Sequence, residues 1–225
     1  MKHDPFNESS EMYLKTISEL AINSAPVSIS SLAKRLQVTT VSATEMVHRL
    51  AEQALLEHKP YKGVCLTDSG QEKASSLIRT HHMWEYFLVE HLGVEWSEAH
   101  EHACHLEHAT DTAVTEALAE FLNHPQTCPH GNPIPDAQGQ FSPPVDQPLF
   151  SLKPGERGRI TRISPESTPL LKYLAAHDLR PGKIFLIAEI LPFEGPMILH
   201  CCGESIPLGQ EIAKHIFVEK MEESV

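Results

Sequence analysis

Apolar residues recur at helical spacing through residues 8–123 and at strand spacing through much of 149–225. Met12, Ile17, Leu20 and Ala21 follow a Ser9-Ser10-Glu11 opening, which predicts a capped helix over residues 8–22. Ser28 to Leu36 predicts a short helix with Ile29, Leu32 and Leu36 turned inward. After a tight turn at Gln37-Val38-Thr39, Thr40 to Leu55 predicts a second helix, with Val41, Met46, Val47 and Leu50 at helical spacing. Two short helices so closely joined make a helix-turn-helix. Leu55–His58 and Val64–Thr67, around a turn from Lys59 to Gly63, then predict a hairpin that fits a wing. Thr67-Asp68-Ser69 caps a long helix that runs to about His91 and ends near Gly93. Ser97 caps another to about Ala109, and Asp111 opens one to Asn123.

The pattern breaks at His124–Pro148, where seven prolines fall among Asn and Gly residues, so a loop and linker are expected there. Beyond it, Arg159–Ile163, Lys183–Leu191, Met197–Cys202 and Phe217–Glu219 read as short strands. Thr168–His177 and part of Leu208–Ile216 read as helical. Many short strands in so small a span predict an SH3-like barrel. The fold class is therefore mainly α with a small β domain. The expected divisions are a winged helix-turn-helix over 1–73, a helical metal-binding and dimerisation segment with a Pro-rich linker over 74–145, and an SH3-like domain over 146–225.

Composition narrows the class. Hydrophobic content of 41% and charged content of 21% are ordinary for a globular protein. No apolar run approaches the ~20 residues a membrane span requires, and Met1-Lys2-His3-Asp4-Pro5 lacks the apolar core of a signal peptide. A cytoplasmic protein without a membrane partner is expected. Five cysteines at irregular spacing do not form a disulfide framework, so the thiols are read as reduced. The net charge of −12 argues against nucleic acid until its distribution is considered. Residues 1–75 hold eight Lys/Arg and nine Asp/Glu, and nearly all the acidic excess lies beyond them. DNA could therefore meet only the N-terminal part. There Ser30 and Ser31 open the first helix of the pair, and Thr39, Thr40, Ser42, Thr44 and Arg49 face outward from the second. Tyr61 and Lys62 form the wing tip. Hydroxyls can meet phosphates or base edges, and Arg49 can reach a phosphate. Glu45 on the same face works against this, and an ordinary three-helix cluster is the alternative, but the spacing favours DNA binding and the wing strengthens it.

The strongest chemistry lies between His81 and His108, which contains seven of the 15 histidines. His81 and Glu85 share one helix face, and His100, Cys104, Glu107 and His108 share another. Imidazole, thiolate and carboxylate on helical faces are the materials of a transition-metal site, against the alternative of a polar solvated face. His82, His91, His102 and His105 lie off these faces. Cys128-Pro129-His130 looks like half a zinc motif without a partner and is taken as loop structure. Of Cys201 and Cys202, one is expected to point inward.

Taken together, Glu11-Met12-Tyr13-Leu14-Lys15-Thr16-Ile17, the winged helix, His81-x-x-x-Glu85, His100-x-x-x-Cys104-x-x-Glu107-His108 and Gly131-Asn132-Pro133-Ile134-Pro135 resemble the diphtheria toxin repressor family over essentially the whole chain. The resemblance implies a metal-activated, DNA-binding repressor with two metal sites per chain. Met12, Cys104, Glu107 and His108 match the regulatory site. His81, Glu85 and His100 match the ancillary site, with Glu166 the nearest candidate from the SH3-like domain. Manganese-type members carry carboxylates where this chain has Met12 and Cys104. Thioether and thiolate favour iron(II), cobalt, nickel or zinc, and iron(II) is expected, with manganese the alternative. The implied partners are a palindromic double-stranded operator and a second copy of the chain, with no small-molecule substrate. A metalloenzyme using the same cluster, or a regulator with a structural zinc, are the competing classes.

Overall fold

Helix α1 (Pro5–Ala21) turns Tyr13, Leu14 and Ile17 into a core shared with α2 (Ile29–Leu36) and α3 (Thr40–Glu52). The computed structural model describes residues 5–21, 25–59, 62–140, 142 and 144–221. They fall in two units. The first takes the described residues within Met1–His81, His105–His124 and Pro135–Phe141, and the second those within His82–Cys104, Pro125–Ile134 and Ser142–Val225. α4 (Asp68–Glu90) and α5 (Ala99–Glu107) each contribute to both.

In the first unit, local chemistry sets the helix ends. The Ser28 hydroxyl accepts from the Ser31 amide at 3.0 Å to start α2. Gln37, in the left-handed conformation at φ 56°, stops it. The Thr39 hydroxyl accepts from the Ser42 amide at 3.1 Å to start α3. This cap corrects one expectation: Val41 does not turn inward but is 67% exposed. Helix phase from Thr39 puts Ala43, Met46, Val47 and Leu50 on the buried stripe, so Val41 falls on the outer side of the first turn. The wing is the antiparallel pair β1 (Leu56–Lys59) and β2 (Gly63–Leu66), registered with Leu56 opposite Leu66. α6 (Thr112–Phe121) starts on the Asp111 cap. It is tied to α4 by Arg79, which donates to both Glu116 oxygens at 2.9 Å and to the Pro135 carbonyl at 2.7 Å.

The second unit carries an antiparallel six-stranded sheet in the order β3-β8-β4-β5-β6-β7. Its strands are β3 (Gln147–Pro148), β4 (Arg157–Ile163), β5 (Ile184–Ile190), β6 (Met197–Cys201), β7 (Glu204–Leu208) and β8 (Ile216–Met221). α7 (Thr168–Ala176) and the short α8 (Gln210–Ala213) complete it. Ile160, Leu171, Leu174, Phe185, Leu199 and Val218 form the core, and Trp96, between α4 and α5, packs into it. β7 is a strand that alternation alone does not reveal. It holds Pro207, which the sheet tolerates because β7 is an edge.

The proline-rich stretch is pinned rather than free along 128–134. The Ile163 amide donates to the His130 carbonyl at 2.9 Å, and the Asn132 side-chain amide donates to the Ile163 carbonyl at 2.8 Å. Gly131 permits the approach: its φ is +85°, and a Cβ there would lie 2.0 Å from the Thr161 carbonyl oxygen. No helix among the described residues is long and apolar enough to cross a membrane.

Candidate metal centre

Two clusters of buried carboxylates and imidazoles stand out, one in each unit. In the second unit, Glu85 on α4, His100 on α5 and Glu166 before α7 converge. His100 Nδ1 lies 3.2 Å from Glu85 Oε1 and 2.7 Å from Glu166 Oε2. His130, fully buried, joins from the pinned loop, with Nδ1 3.3 Å from Glu85 Oε2 and 3.6 Å from Glu166 Oε2. Its Nε2 faces the Trp96 carbonyl at 2.9 Å. A carbonyl only accepts, so Nε2 carries a proton and Nδ1 is the nitrogen turned to the carboxylates. Cys128, also buried, places Sγ 3.9 Å from Glu166 Oε1, and the Asn132 amide donates to the same oxygen. The buried His82 directs Nδ1 to the Pro133 carbonyl at 3.0 Å. Donor atoms of His82, Glu85, Cys128 and Glu166 all lie within 4.8 Å of one another.

Two buried carboxylates facing each other's partners create a need for positive charge. Burial pushes His100 toward its neutral form, but hydrogen bonds to Cys104, Glu166 and Glu85 outweigh it and raise its pKa to about 11. For His130, burial is again opposed, here chiefly by the charges of Glu85 and Glu166, and the net direction is up. Burial, reinforced by those same carboxylates, holds the Cys128 thiol well above its usual range. A divalent cation answers the same electrostatic demand, and nitrogen, sulfur and oxygen donors suit a transition ion. The residues therefore fit a metal.

In the first unit the hub is Glu107 at the end of α5. Lys15 Nζ on α1 donates to Glu107 Oε2 at 2.7 Å, and His81 Nδ1 meets the same oxygen. All three side chains are almost fully buried. His108 Nε2 lies 3.5 Å from Glu107 Oε1, and its Nδ1 lies 2.7 Å from Glu11 Oε2. Burial alone would raise the Glu107 pKa, but the Lys15 charge and then His81 hold it down at about 2. This carboxylate is thus ionised and already balanced by a fixed cation.

Glu107, His108 and His81 meet in the first unit, where Met12 on α1 is half-buried. Glu85, His100 and Glu166 meet in the second, with Cys104 Sγ 3.8 Å from His100 Nε2. Cys128 and His130 correct the expectation of plain loop structure: both face the buried carboxylates, because the fold brings Glu85 and Glu166, far away in sequence, against them, and Asn132 joins from the same turn. The Gly131-Asn132-Pro133 turn was the available signal. Glu11 and Lys15 also belong to the cluster of the first unit, and their i,i+4 spacing, which puts them on one helix face, is the signal that points to them.

On the helix-turn-helix, Ser30, Ser31, Thr39, Thr40, Ser42 and Arg49 are exposed and Thr44 is half-buried. Several hydroxyls also serve the helices themselves. Thr39 and Ser42 share a 2.9 Å hydrogen bond, and Thr44 donates to the Thr40 carbonyl at 2.7 Å. Arg49 lies 4.0 Å from Glu45, which tempers that carboxylate's charge on this face. Lys62 is exposed at the wing, and Tyr61 lies outside the described residues.

A winged helix followed by helices with two carboxylate–imidazole clusters and a small antiparallel sheet defines a metalloregulator architecture, and comparison with known proteins agrees. Residues 5–64 match the family model for the iron dependent repressor N-terminal DNA binding domain. Residues 67–136 match that for the metal binding and dimerisation domain, and residues 147–220 match the FeoA domain. The iron-dependent repressor IdeR of Mycobacterium tuberculosis is 34% identical over 128 residues, a match spanning 57% of this chain and 56% of IdeR. The diphtheria toxin repressor of Corynebacterium glutamicum is 26% identical over 222 residues, spanning 96% of this chain and 97% of that one. A solved structure of a manganese-dependent transcriptional repressor complex with manganese superposes with a TM-score of 0.85 at 33% identity, covering 94% of this chain and 100% of that one. The chain belongs to the iron-dependent (diphtheria toxin) repressor family.

Proposed function

We propose that this protein is a cytoplasmic, metal-activated transcriptional repressor that binds a palindromic operator as a homodimer. The observation that carries the reading is the convergence of buried Glu85, His130 and Glu166 with the half-buried His100 in a chain that also bears an exposed helix-turn-helix. The ligand sets expected from the sequence are retained. Met12, Cys104, Glu107 and His108 form the regulatory set, and His81, Glu85, His100 and Glu166 the ancillary one. Cys128 and His130 are added to the ancillary set, because both already face Glu166. The corresponding functional segments are 1–73, 74–145 and 146–225.

A bound divalent ion supplies positive charge and directional coordination to these donors. The chain's own residues do the rest. Asn132 holds Glu166 in place, and the Trp96 carbonyl fixes the His130 ring so that Nδ1 faces inward. Ligands supplied by different helices couple metal affinity to the arrangement of those helices, which is the basis of a population shift. Ser30, Ser31, Thr39, Thr40, Ser42, Thr44, Arg49, Tyr61 and Lys62 form the proposed DNA face. Recognition helices of a dimer would then meet major grooves about 34 Å apart.

Soft donors at Met12, Cys104 and Cys128 favour iron(II) over manganese among the available ions, with cobalt, nickel and zinc also acceptable. The carboxylate-rich second cluster is what favours a manganese-responsive alternative. The metalloenzyme reading is set aside, since the family consists of repressors. Retention of duplexes selected from a randomised pool, measured anaerobically with iron(II), manganese(II), cobalt(II) and zinc(II), tests the proposal. Binding is expected only with metal, and equal retention in chelator would remove the switch. Met12→Asp with Cys104→Glu should move the preference toward manganese, and an unchanged order would defeat the argument from ligand softness.

A further inference from the structure

The β6–β7 hairpin closes through two residues, Cys202 and Gly203, between the paired Cys201 and Glu204. Their φ values are 53° and 85°, the positive pair of a type I′ turn. Such turns select Asn, Asp or Gly at the first position, because a side chain there is disfavoured in the left-handed region. A cysteine at this place is therefore not explained by the turn. Its neighbour supplies another reason. Cys201 and Cys202 bring their sulfurs to 3.5 Å, and both are free thiols.

From this geometry we infer that Cys201 and Cys202 form a vicinal dithiol site for thiophilic trivalent ligands, arsenic(III) compounds in particular. The bite is suitable: two sulfurs each about 2.3 Å from a shared tetrahedral zinc would lie about 3.8 Å apart. The 3.5 Å separation is narrower, which favours a pyramidal centre with smaller angles at arsenic. It is far longer than the ~2.05 Å of a disulfide, so the pair stands as a dithiol. Access is one-sided. Cys202 is exposed, while Cys201 points into the sheet core among Phe185 and Leu199. A ligand would enter over Cys202 and be backed by apolar walls. Burial and then the adjacent Cys202 raise the Cys201 pKa to about 11, which keeps Cys201 a protonated thiol in the free state. Cys202 Sγ also lies 3.9 Å from Asp178 Oδ2, an acceptor for its proton in the free state.

With phenylarsine oxide the reaction balances without an oxidant. Two S–H bonds break, two As–S bonds form, and the arsenic-bound oxygen leaves as one water, with arsenic remaining trivalent. The test treats reduced full-length protein with one equivalent of phenylarsine oxide and follows alkylation of each cysteine by peptide mass spectrometry. Alkylation of Cys202 is expected to slow at least tenfold, to recover with 1,2-ethanedithiol and not with a monothiol. Cys202→Asn supplies the residue the turn prefers, so the fold and thermal midpoint should be kept or improved while an arsenic-dependent change at Cys201 disappears. Unchanged Cys202 alkylation in the presence of the probe would overturn the inference. So would an arsenic adduct on the Cys201 peptide that persists in Cys202→Asn.

Discussion

The two carboxylate clusters are built from the same residue types, yet their charges are balanced differently. In the first unit, Glu107 faces Lys15, a cation that is part of the chain. In the second, Glu85 and Glu166 face imidazoles, an amide and a thiol. The first cluster is thus complete as a folded ion pair, and a metal there must compete with a lysine. The second has excess negative charge whose neutralisation depends on protons or a cation. Similar donors are therefore expected to differ in affinity for the same ion, because the competing cation is covalently attached in one case and exchangeable in the other.

The sharpest break of this contrast is Lys15→Met in metal-free protein. Removing one partner of a buried pair leaves Glu107 uncompensated, and a loss of about 3–5 kcal/mol is expected in urea unfolding. Adding Glu107→Gln should restore much of it. If Lys15→Met costs no more than a surface substitution, the first cluster is not held by this pair. The next largest effect is on pH dependence. Glu107 is depressed from 4.5 to about 2, so its contribution is full above the unfolded value and is lost as pH falls toward 2. The stability difference between wild type and Glu107→Gln, both metal-free, should be flat above pH 5 and shrink by about 3 kcal/mol on acidification. A difference that instead fades between pH 6 and 8 would point to the histidines.

A somewhat smaller change is expected in the second cluster. Metal at one hundred times its dissociation constant should stabilise the protein by about 2.7 kcal/mol. Glu166→Gln should remove most of the second cluster's share while costing little in the metal-free state. A large metal-free loss would place Glu166 with Glu107 rather than opposite it. The smallest effect is a control outside both clusters. Thr39→Ala deletes the α3 cap, with an expected cost of about 1 kcal/mol and no change in metal titration. Altered metal affinity in this variant would mean that the clusters are not local to their own contacts.

Much of the architecture is legible in the chain because its causes are local. Ser28, Thr39 and Asp111 cap helices whose inward stripes follow the 3.6-residue period, and Gln37 ends α2 within the expected turn. Val41 is exposed despite its apolar side chain, because the Thr39 cap sets the phase of α3 and leaves it on the outer side. β7 is not legible from alternation, and the sheet accepts its Pro207 because the strand lies at an edge. Lys15 is the sharper case. A lysine on an amphipathic helix is ordinarily solvated, and only the position of Glu107 makes its burial sustainable.

The order of residues alone is enough to place most helices and strands, to name the donors, and to show that many of them gather between residues 81 and 108. It is enough because capping, hydrophobic period and residue chemistry are properties of neighbours along the chain. That Glu107 has a lysine for a partner, while Glu166 has Asn132, His100 and His130, follows from the folded packing. Those pairings join positions dozens of residues apart. They depend on a loop whose course rests on Gly131 adopting a positive φ where a side chain would strike the Thr161 carbonyl. Burial then sets the electrostatics, since the same carboxyl group is a solvated surface charge or a ligand-seeking anion according to what closes around it.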